Sequence, residues 1–147
     1  MKTYSLIATL LVAPAYLSSV LGQEKQNIIF VLTDDQGYGD LRCNGNPYIH
    51  TPNIDNLERE SISFADFHSA TTSAPTRAGI MTGKYCNSTG VWHTINGRSL
   101  LTIDFPTLPE LLSQAGYETG MFGKWHLGDN FPYRPHDRGF KEAFYHG

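Results

Sequence analysis

The fold is indicated most clearly by residues 107–122, which read TLPELLSQAGYETGMF. Thr107 and Glu110 have the spacing of a capping box, which predicts a helix over residues 108–115. Gly116 is suited to end that helix, because glycine readily takes the left-handed conformation found after a helix C-terminus. Residues 117–122 then predict a short strand. A helix, a glycine and a strand in this order are typical of an α/β protein with a doubly wound, mostly parallel sheet.

Two earlier segments extend the same pattern. Residues 27–32 form an apolar, β-branched run, which predicts a buried central strand of a parallel sheet. Thr51 and Pro52 predict the N-cap and first residue of a helix that continues to about Glu60. Residues 61–67 alternate well enough for a second strand.

A further helix is predicted from Ser73, with Pro75 in its first turn and Gly83 placed to end it. The next segment, residues 91–103, carries few signals. We expect it to be a surface excursion that contains Trp92, His93 and Arg98.

The N-terminus has the order of a secretory signal peptide. Lys2 precedes an apolar stretch over residues 6–21, which Pro14 interrupts and polar residues follow. A membrane anchor is the alternative, but the stretch is shorter than the roughly 20 apolar residues that a spanning helix needs. We therefore predict cleavage near Gly22, with residues 1–22 as signal peptide and the mature chain secreted or periplasmic, with no membrane attachment.

Charge and cysteine content limit the partners of the chain. The formal net charge is -3 and there is no Lys/Arg block, so the sequence gives no electrostatic footprint for nucleic acid. The only cysteines are Cys43 and Cys86. Export would permit a disulfide, but two unpaired thiols are slightly favoured.

Asp34 and Asp35 are adjacent carboxylates that follow the predicted first strand. Like charges at one site repel unless a cation is shared, and hard oxygen ligands without nearby cysteine or clustered histidine favour calcium or magnesium over zinc. An exposed acidic turn is the simpler alternative for an isolated Asp-Asp pair. The glycine-rich residues 36–39 and the later motifs favour the metal site.

Three more residues are candidates for catalysis. Arg77 lies one helical turn after Ser73 and on the same face, where it could neutralise charge, although a capping serine and a surface arginine are the alternatives. Lys124 and His126 can point to the same side if the strand stays extended. Lys124 suits an anionic oxygen, and His126 can exchange protons near neutral pH. We expect Trp125 to pack instead.

His93 and Arg98 lie between the two candidate segments and are predicted either to line a substrate pocket or to pack. The other histidines lack metal-ligand spacing and are expected to be structural or at the surface: His50, His68, His136 and His146.

Five ordered motifs resemble the sulfatase family. They are Thr33-Asp34-Asp35-Gln36-Gly37-Tyr38-Gly39-Asp40, Thr51-Pro52-Asn53-Ile54-Asp55, Ser73-Ala74-Pro75-Thr76-Arg77, Gly123-Lys124-Trp125-His126-Leu127-Gly128 and Arg138-Gly139-Phe140. The resemblance implies an alkaline-phosphatase-like α/β sandwich with a mostly parallel central sheet. It also implies a calcium ion on Asp34, Asp35 and the residue at 73. Ser73 would be converted to formylglycine, with Arg77, Lys124 and His126 binding the hydrate and sulfate.

Serine at position 73 resembles the bacterial serine-type enzymes, whose precursor is oxidised by a dedicated maturase. Sulfatases are several times longer than this chain, so the resemblance implies that residues 23–147 are the N-terminal part of a truncated catalytic domain. Calcium takes about six to eight oxygens, more than Asp34, Asp35 and residue 73 supply. We therefore expect little or no turnover from residues 1–147 alone.

The resemblance thus implies a sulfuric ester hydrolase that acts on a sulfated small molecule or glycan, either an aryl or a carbohydrate sulfate. Two alternatives stay open: a phosphate or phosphonate ester hydrolase of the same superfamily with unmodified Ser73, and a non-catalytic sulfatase-like binding protein.

Overall fold

The computed structural model describes residues 25–95 and 97–147, so the predicted signal peptide lies outside the described residues. One unit of the chain ends at Thr33, and Asp34–Gly147 form a second unit. In the described part of the chain, every helix is too short or too polar to span a bilayer.

The predicted strand over residues 27–32 is wrong, because no strand is assigned there. Ile29 and Val31 are 87% and 81% exposed. β-branched side chains favour a strand but do not make one, since the backbone also needs a hydrogen-bonded neighbouring strand.

The described residues of the second unit contain α1 (Pro52–Glu60), α2 (Ser73–Thr82) and α3 (Leu108–Gln114). All three were predicted. The capping box is confirmed, because the Thr107 amide donates to Glu110 Oε2 at 2.8 Å and the Glu110 amide donates to Thr107 Oγ1 at 3.4 Å. Gly83 ends α2 with a φ of 64°, in the left-handed region that favours glycine.

Thr51 precedes α1 as expected, but its side chain does not cap the helix. Its hydroxyl donates to Asp55 Oδ1 at 2.8 Å and accepts from the Arg42 amide at 3.1 Å. Asp55 Oδ1 also accepts from the Cys43 amide at 3.0 Å. The Thr51–Asp55 pair therefore fastens the preceding loop to α1. Cys43 and Cys86 are free thiols.

The sheet in the described residues is a parallel pair of β1 (Gly120–Lys124) and β2 (Glu142–His146), in a register that places Lys124 opposite His146. β1 starts later than the predicted residue 117. The Thr119 carbonyl, just before β1, accepts hydrogen bonds from the amides of Lys141 and Glu142 at 3.0 and 3.1 Å. These bonds join the start of β1 to the start of β2.

The predicted strand over residues 61–67 is also wrong, since the segment has no strand assignment. Ile62 and Phe64 are 87% and 79% exposed. The alternation of the sequence is present, but no ladder hydrogen bonds hold residues 61–67 among the described residues.

The core of the second unit lies between α2, the segment that contains Val91 and Leu101, and the residues directly after β1. Its fully buried apolar side chains are Ala74, Ala78, Val91, Leu101, Trp125 and Leu127. The prediction that residues 91–103 form a surface excursion is therefore wrong at Val91 and Leu101, which are fully buried. Both side chains pack in the core and anchor the segment there. The Leu101 amide also donates to the Leu127 carbonyl at 3.1 Å.

Arg138 holds the irregular segment before α3. Its side chain is 3% exposed and pairs with Glu110 at 3.1 Å. The same guanidinium donates to the carbonyls of Leu101, Thr102 and Phe105, at 3.3, 3.0 and 2.8 Å. Buried carbonyls need partners, and here one side chain supplies three of them. Arg138 is therefore a structural residue that positions the loop beside α3.

Candidate active site

Asp34 is the centre of a four-residue cluster. Ser73 Oγ donates to Asp34 Oδ1 at 3.1 Å, and Lys124 Nζ donates to Asp34 Oδ2 at 2.7 Å. Arg77 completes the cluster, with Nε donating to Ser73 Oγ at 3.1 Å and an outer nitrogen 3.4 Å from Asp34 Oδ1. The structure therefore brings together four of the residues that the sequence singled out.

The helix and the strand fix the geometry of this cluster. Ser73 is the first residue of α2, and Arg77 follows one turn later on the same face, as predicted. Arg77 also donates to the carbonyl of Lys124 at 2.5 Å. Its side chain is 11% exposed, so the guanidinium has few other conformations. Arg77 thus connects the start of α2 to the end of β1.

The cluster carries more positive than negative charge. The Lys124 ammonium hydrogen bond is the main cause that lowers the pKa of Asp34 below its ordinary value of 3.8, with further contributions from Ser73 and Arg77 against partial desolvation. Two cations therefore surround one ionised carboxylate. Because Ser73 lies at a helix N-terminus, the helix dipole adds to this positive field. Such a site favours an anionic ligand.

Asp35 is not part of the hydrogen-bonded cluster. Its backbone has a φ of 55°, unusual for a residue with a side chain, and its side chain is exposed. Among the described residues, no group of three or more His, Cys, Asp or Glu side chains could hold a metal ion. Carboxylate and hydroxyl oxygens are nevertheless the ligand type that calcium prefers, and Asp34 and Ser73 provide them in one place. The oxygen atoms of Asp34 and Ser73 are therefore of the chemical type that binds calcium.

His126 has a different geometry from the one predicted. Its φ is 62°, so the extended pattern does not persist beyond Lys124. Nε2 lies 2.9 Å from the Thr94 carbonyl, and Nδ1 is buried without a hydrogen-bond partner in the described part of the chain. His126 lines a cavity of about 260 Å³ with Ser99, Leu100, Gly128, Asp129, Asn130 and Gly147. Trp125 packs as expected and is 1% exposed.

His93 and Arg98 lie in the loop that His126 contacts, not in the Asp34 cluster. Arg98 stacks over the exposed Trp92 ring, with its guanidinium carbon 4.5 Å from the ring centroid. His93 Nδ1 accepts the Thr94 amide at 2.9 Å. The loop is closed by the amides of Trp92 and His93, which both donate to the Arg98 carbonyl at 3.2 and 3.3 Å.

Comparison with known proteins identifies the family. The family model described as Sulfatase matches residues 26–147. Arylsulfatase G of Canis lupus familiaris is 44% identical over 124 residues, which cover 82% of this chain and 23% of that protein. The chain belongs to the sulfatase family.

Other sulfatases show the same relationship. The N-acetylgalactosamine-6-O-sulfatase of Bacteroides thetaiotaomicron is 41% identical over 111 residues, covering 71% of this chain and 21% of that protein. A solved structure in complex with its substrate D-glucosamine-2-N,6-O-disulfate matches with a TM-score of 0.69 and 39% identity, over 82% of this chain and 23% of the other. This chain therefore has the alkaline-phosphatase-like α/β fold of sulfatases. It spans about a quarter of the length of the relatives that it matches.

In this sulfatase chain, sequence reasoning missed the contact between the Thr94 carbonyl and His126. A backbone carbonyl leaves no residue-type signal, so no pattern could have revealed it. The stacked pair of Trp92 and Arg98 was missed too. Its two members were noted in the same loop, but their contact depends on how that loop closes.

Proposed function

We propose that the full-length protein hydrolyses sulfate esters of aryl or carbohydrate substrates and that Ser73 is the precursor of a formylglycine. The observation that carries this proposal is the position of the Ser73 hydroxyl, which donates to Asp34 and accepts from Arg77 beside Lys124. Membership of the sulfatase family supports the reaction class.

The proposed cofactors are formylglycine derived from Ser73 and a calcium ion held by Asp34, Asp35 and residue 73. Together they would supply a hydroxyl nucleophile for sulfur, a second hydroxyl whose deprotonation would release sulfate, and positive charge beside the sulfate oxygens. These residues provide only part of the six to eight oxygens that calcium takes, so the remaining ligands come from elsewhere in the protein.

Three side chains of the cluster have distinct tasks in this proposal. Arg77 holds the oxygen at position 73, because its Nε already donates to that atom. Lys124 provides a charged donor for a sulfate oxygen, and its ammonium is held near position 73 by Asp34. Asp34 keeps both cations in place and remains ionised, since its pKa is lowered by the same contacts. Preorganised donors of this kind stabilise charge that develops during reaction.

His126 is proposed to exchange the proton during release of the sulfate. It lines the cavity of about 260 Å³, which offers room for part of the substrate. His93 and Arg98 are proposed as substrate-side residues, because their loop contacts His126 through Thr94.

A sulfated sugar is a reasonable substrate class, because one relative is named as an N-acetylgalactosamine-6-O-sulfatase and one solved structure contains a disulfated glucosamine. A formylglycine-generating maturase is the proposed partner for Ser73. We place the mature protein outside the cytoplasm, secreted or periplasmic, on the basis of the signal-peptide pattern in residues 1–22.

Mass spectrometry of the peptide that contains Ser73, taken from the native host, tests the modification. Conversion of serine to formylglycine removes two hydrogens, and we expect that loss together with hydrolysis of aryl or sugar sulfates. Ser73→Ala should abolish turnover, whereas Ser88→Ala, at an exposed serine, should not. Intact Ser73 combined with turnover of phosphate or phosphonate esters would replace this proposal with the phosphatase-like alternative.

A further inference from the structure

His126 is held in one tautomer by the loop that precedes it. A carbonyl oxygen can only accept, so the 2.9 Å contact between His126 Nε2 and the Thr94 carbonyl requires a proton on Nε2. In the neutral ring, Nδ1 then carries a lone pair. Nδ1 is buried and has no hydrogen-bond partner among the described residues. The nitrogen left for a reacting group is therefore Nδ1.

The position of the Thr94 carbonyl depends on His93. His93 Nδ1 accepts the amides of Thr94 at 2.9 Å and Ile95 at 3.3 Å, which turns the chain immediately after His93. The His93 amide donates to the Arg98 carbonyl at 3.3 Å and closes the loop. His93 thus fixes the peptide whose carbonyl selects the His126 tautomer.

We propose that His93 is a positioning residue that acts through the Thr94 carbonyl to present the unprotonated Nδ1 of His126 to the reacting group. The inference rests on the proposed function for its catalytic consequence. Nδ1 takes a proton from a hydroxyl of the reacting group, whose electron pair stays on oxygen. The ring becomes a cation with Nε2–H still bound to Thr94, and Nδ1 then gives the proton to an oxygen of the departing sulfate, which restores the neutral ring. A fixed tautomer removes the need for the ring to reorient before each transfer.

Two substitutions of His93 separate this role from simple packing. His93→Asn keeps an acceptor, because an asparagine carbonyl oxygen can bind the amides of the next two residues. His93→Leu has a similar size but removes the acceptor. Both variants and the wild type are made in the full-length protein with ¹⁵N-labelled histidine rings, and His126→Gln identifies the His126 signals.

We expect neutral His126 to be protonated at Nε2 in the wild type and in His93→Asn. The kcat of His93→Asn for sulfate ester hydrolysis should stay within about threefold of the wild-type value. In His93→Leu, His126 should become a mixture of tautomers. Its kcat should fall about 10- to 100-fold, as for a misplaced catalytic group.

Protonation of His126 at Nδ1 in the wild type would overturn the inference without any variant. So would a His93→Leu protein with unchanged tautomer and kcat, or equal losses in both variants. If the wild type hydrolyses no sulfate ester and keeps an intact Ser73, the proposed function fails, and the tautomer measurement still decides whether His93 positions His126.

Discussion

Replacement of Arg138 by methionine should loosen the segment before α3. Methionine keeps much of the aliphatic length but removes the ion pair with Glu110 and the donors to Leu101, Thr102 and Phe105. Breaking a buried pair costs about 3–5 kcal/mol. Glu110 is 27% exposed and regains water, so we take the lower end, about 3 kcal/mol.

Hydrogen exchange measures this loss where it occurs. A change of 1.4 kcal/mol is a factor of about ten, so amides in residues 101–107 should exchange about 100-fold faster in Arg138→Met if they open locally. The full-length protein is used, with exchange followed by mass spectrometry of peptides. Arg134→Met is the matched control, because Arg134 is 44% exposed and pairs with Asp137 only three residues along the chain. Equal exchange in the two variants would refute the assignment of Arg138 as the residue that holds this segment.

Two further pairs of variants test the site and the fold. Lys124→Met should lower kcat of sulfate ester hydrolysis by about 100-fold or more, because it removes a preorganised charged donor. Lys141→Met should leave kcat unchanged, since the Lys141 ammonium pairs with the exposed Glu118. Steady-state kinetics with retained turnover in Lys124→Met would contradict this. Gly139→Ala should be less stable than Gly45→Ala by about 1–3 kcal/mol, because the added Cβ overpacks the structure. It should therefore have the lower melting temperature. The two glycines have nearly the same φ, 97° at Gly139 and 96° at Gly45. An added Cβ would meet Glu110 Cα at 2.8 Å at position 139 and nothing within 4 Å at position 45. Equal thermal midpoints would therefore argue against the steric explanation.

The helices could be predicted because their signals are local. Thr107 and Glu110 lie three residues apart, and both halves of the capping box form. Gly83 ends α2 in the conformation expected from its residue type alone. The strand predicted over residues 61–67 failed because strand formation depends on a distant hydrogen-bonded neighbour, which a single segment cannot specify.

Only part of the site could be predicted from local sequence signals. Ser73 and Arg77 share a helical face, so their contact follows from spacing alone. Asp34 and Lys124 are distant in sequence, and only the family resemblance suggested that they belong to one site. The position of His126 could not be predicted, because a left-handed backbone at a residue other than glycine has no simple sequence signal.

Much of the buried apolar core comes from segments without regular secondary structure. Val91, Leu101, Trp125 and Leu127 are fully or almost fully buried, and all four lie outside the helices and strands. Engineering that shortens loops or grafts them from other enzymes usually assumes that irregular segments are replaceable. In this chain Val91, Leu101, Trp125 and Leu127 supply much of the packing, so insertions and grafts belong at exposed turns, such as the one at Gly45.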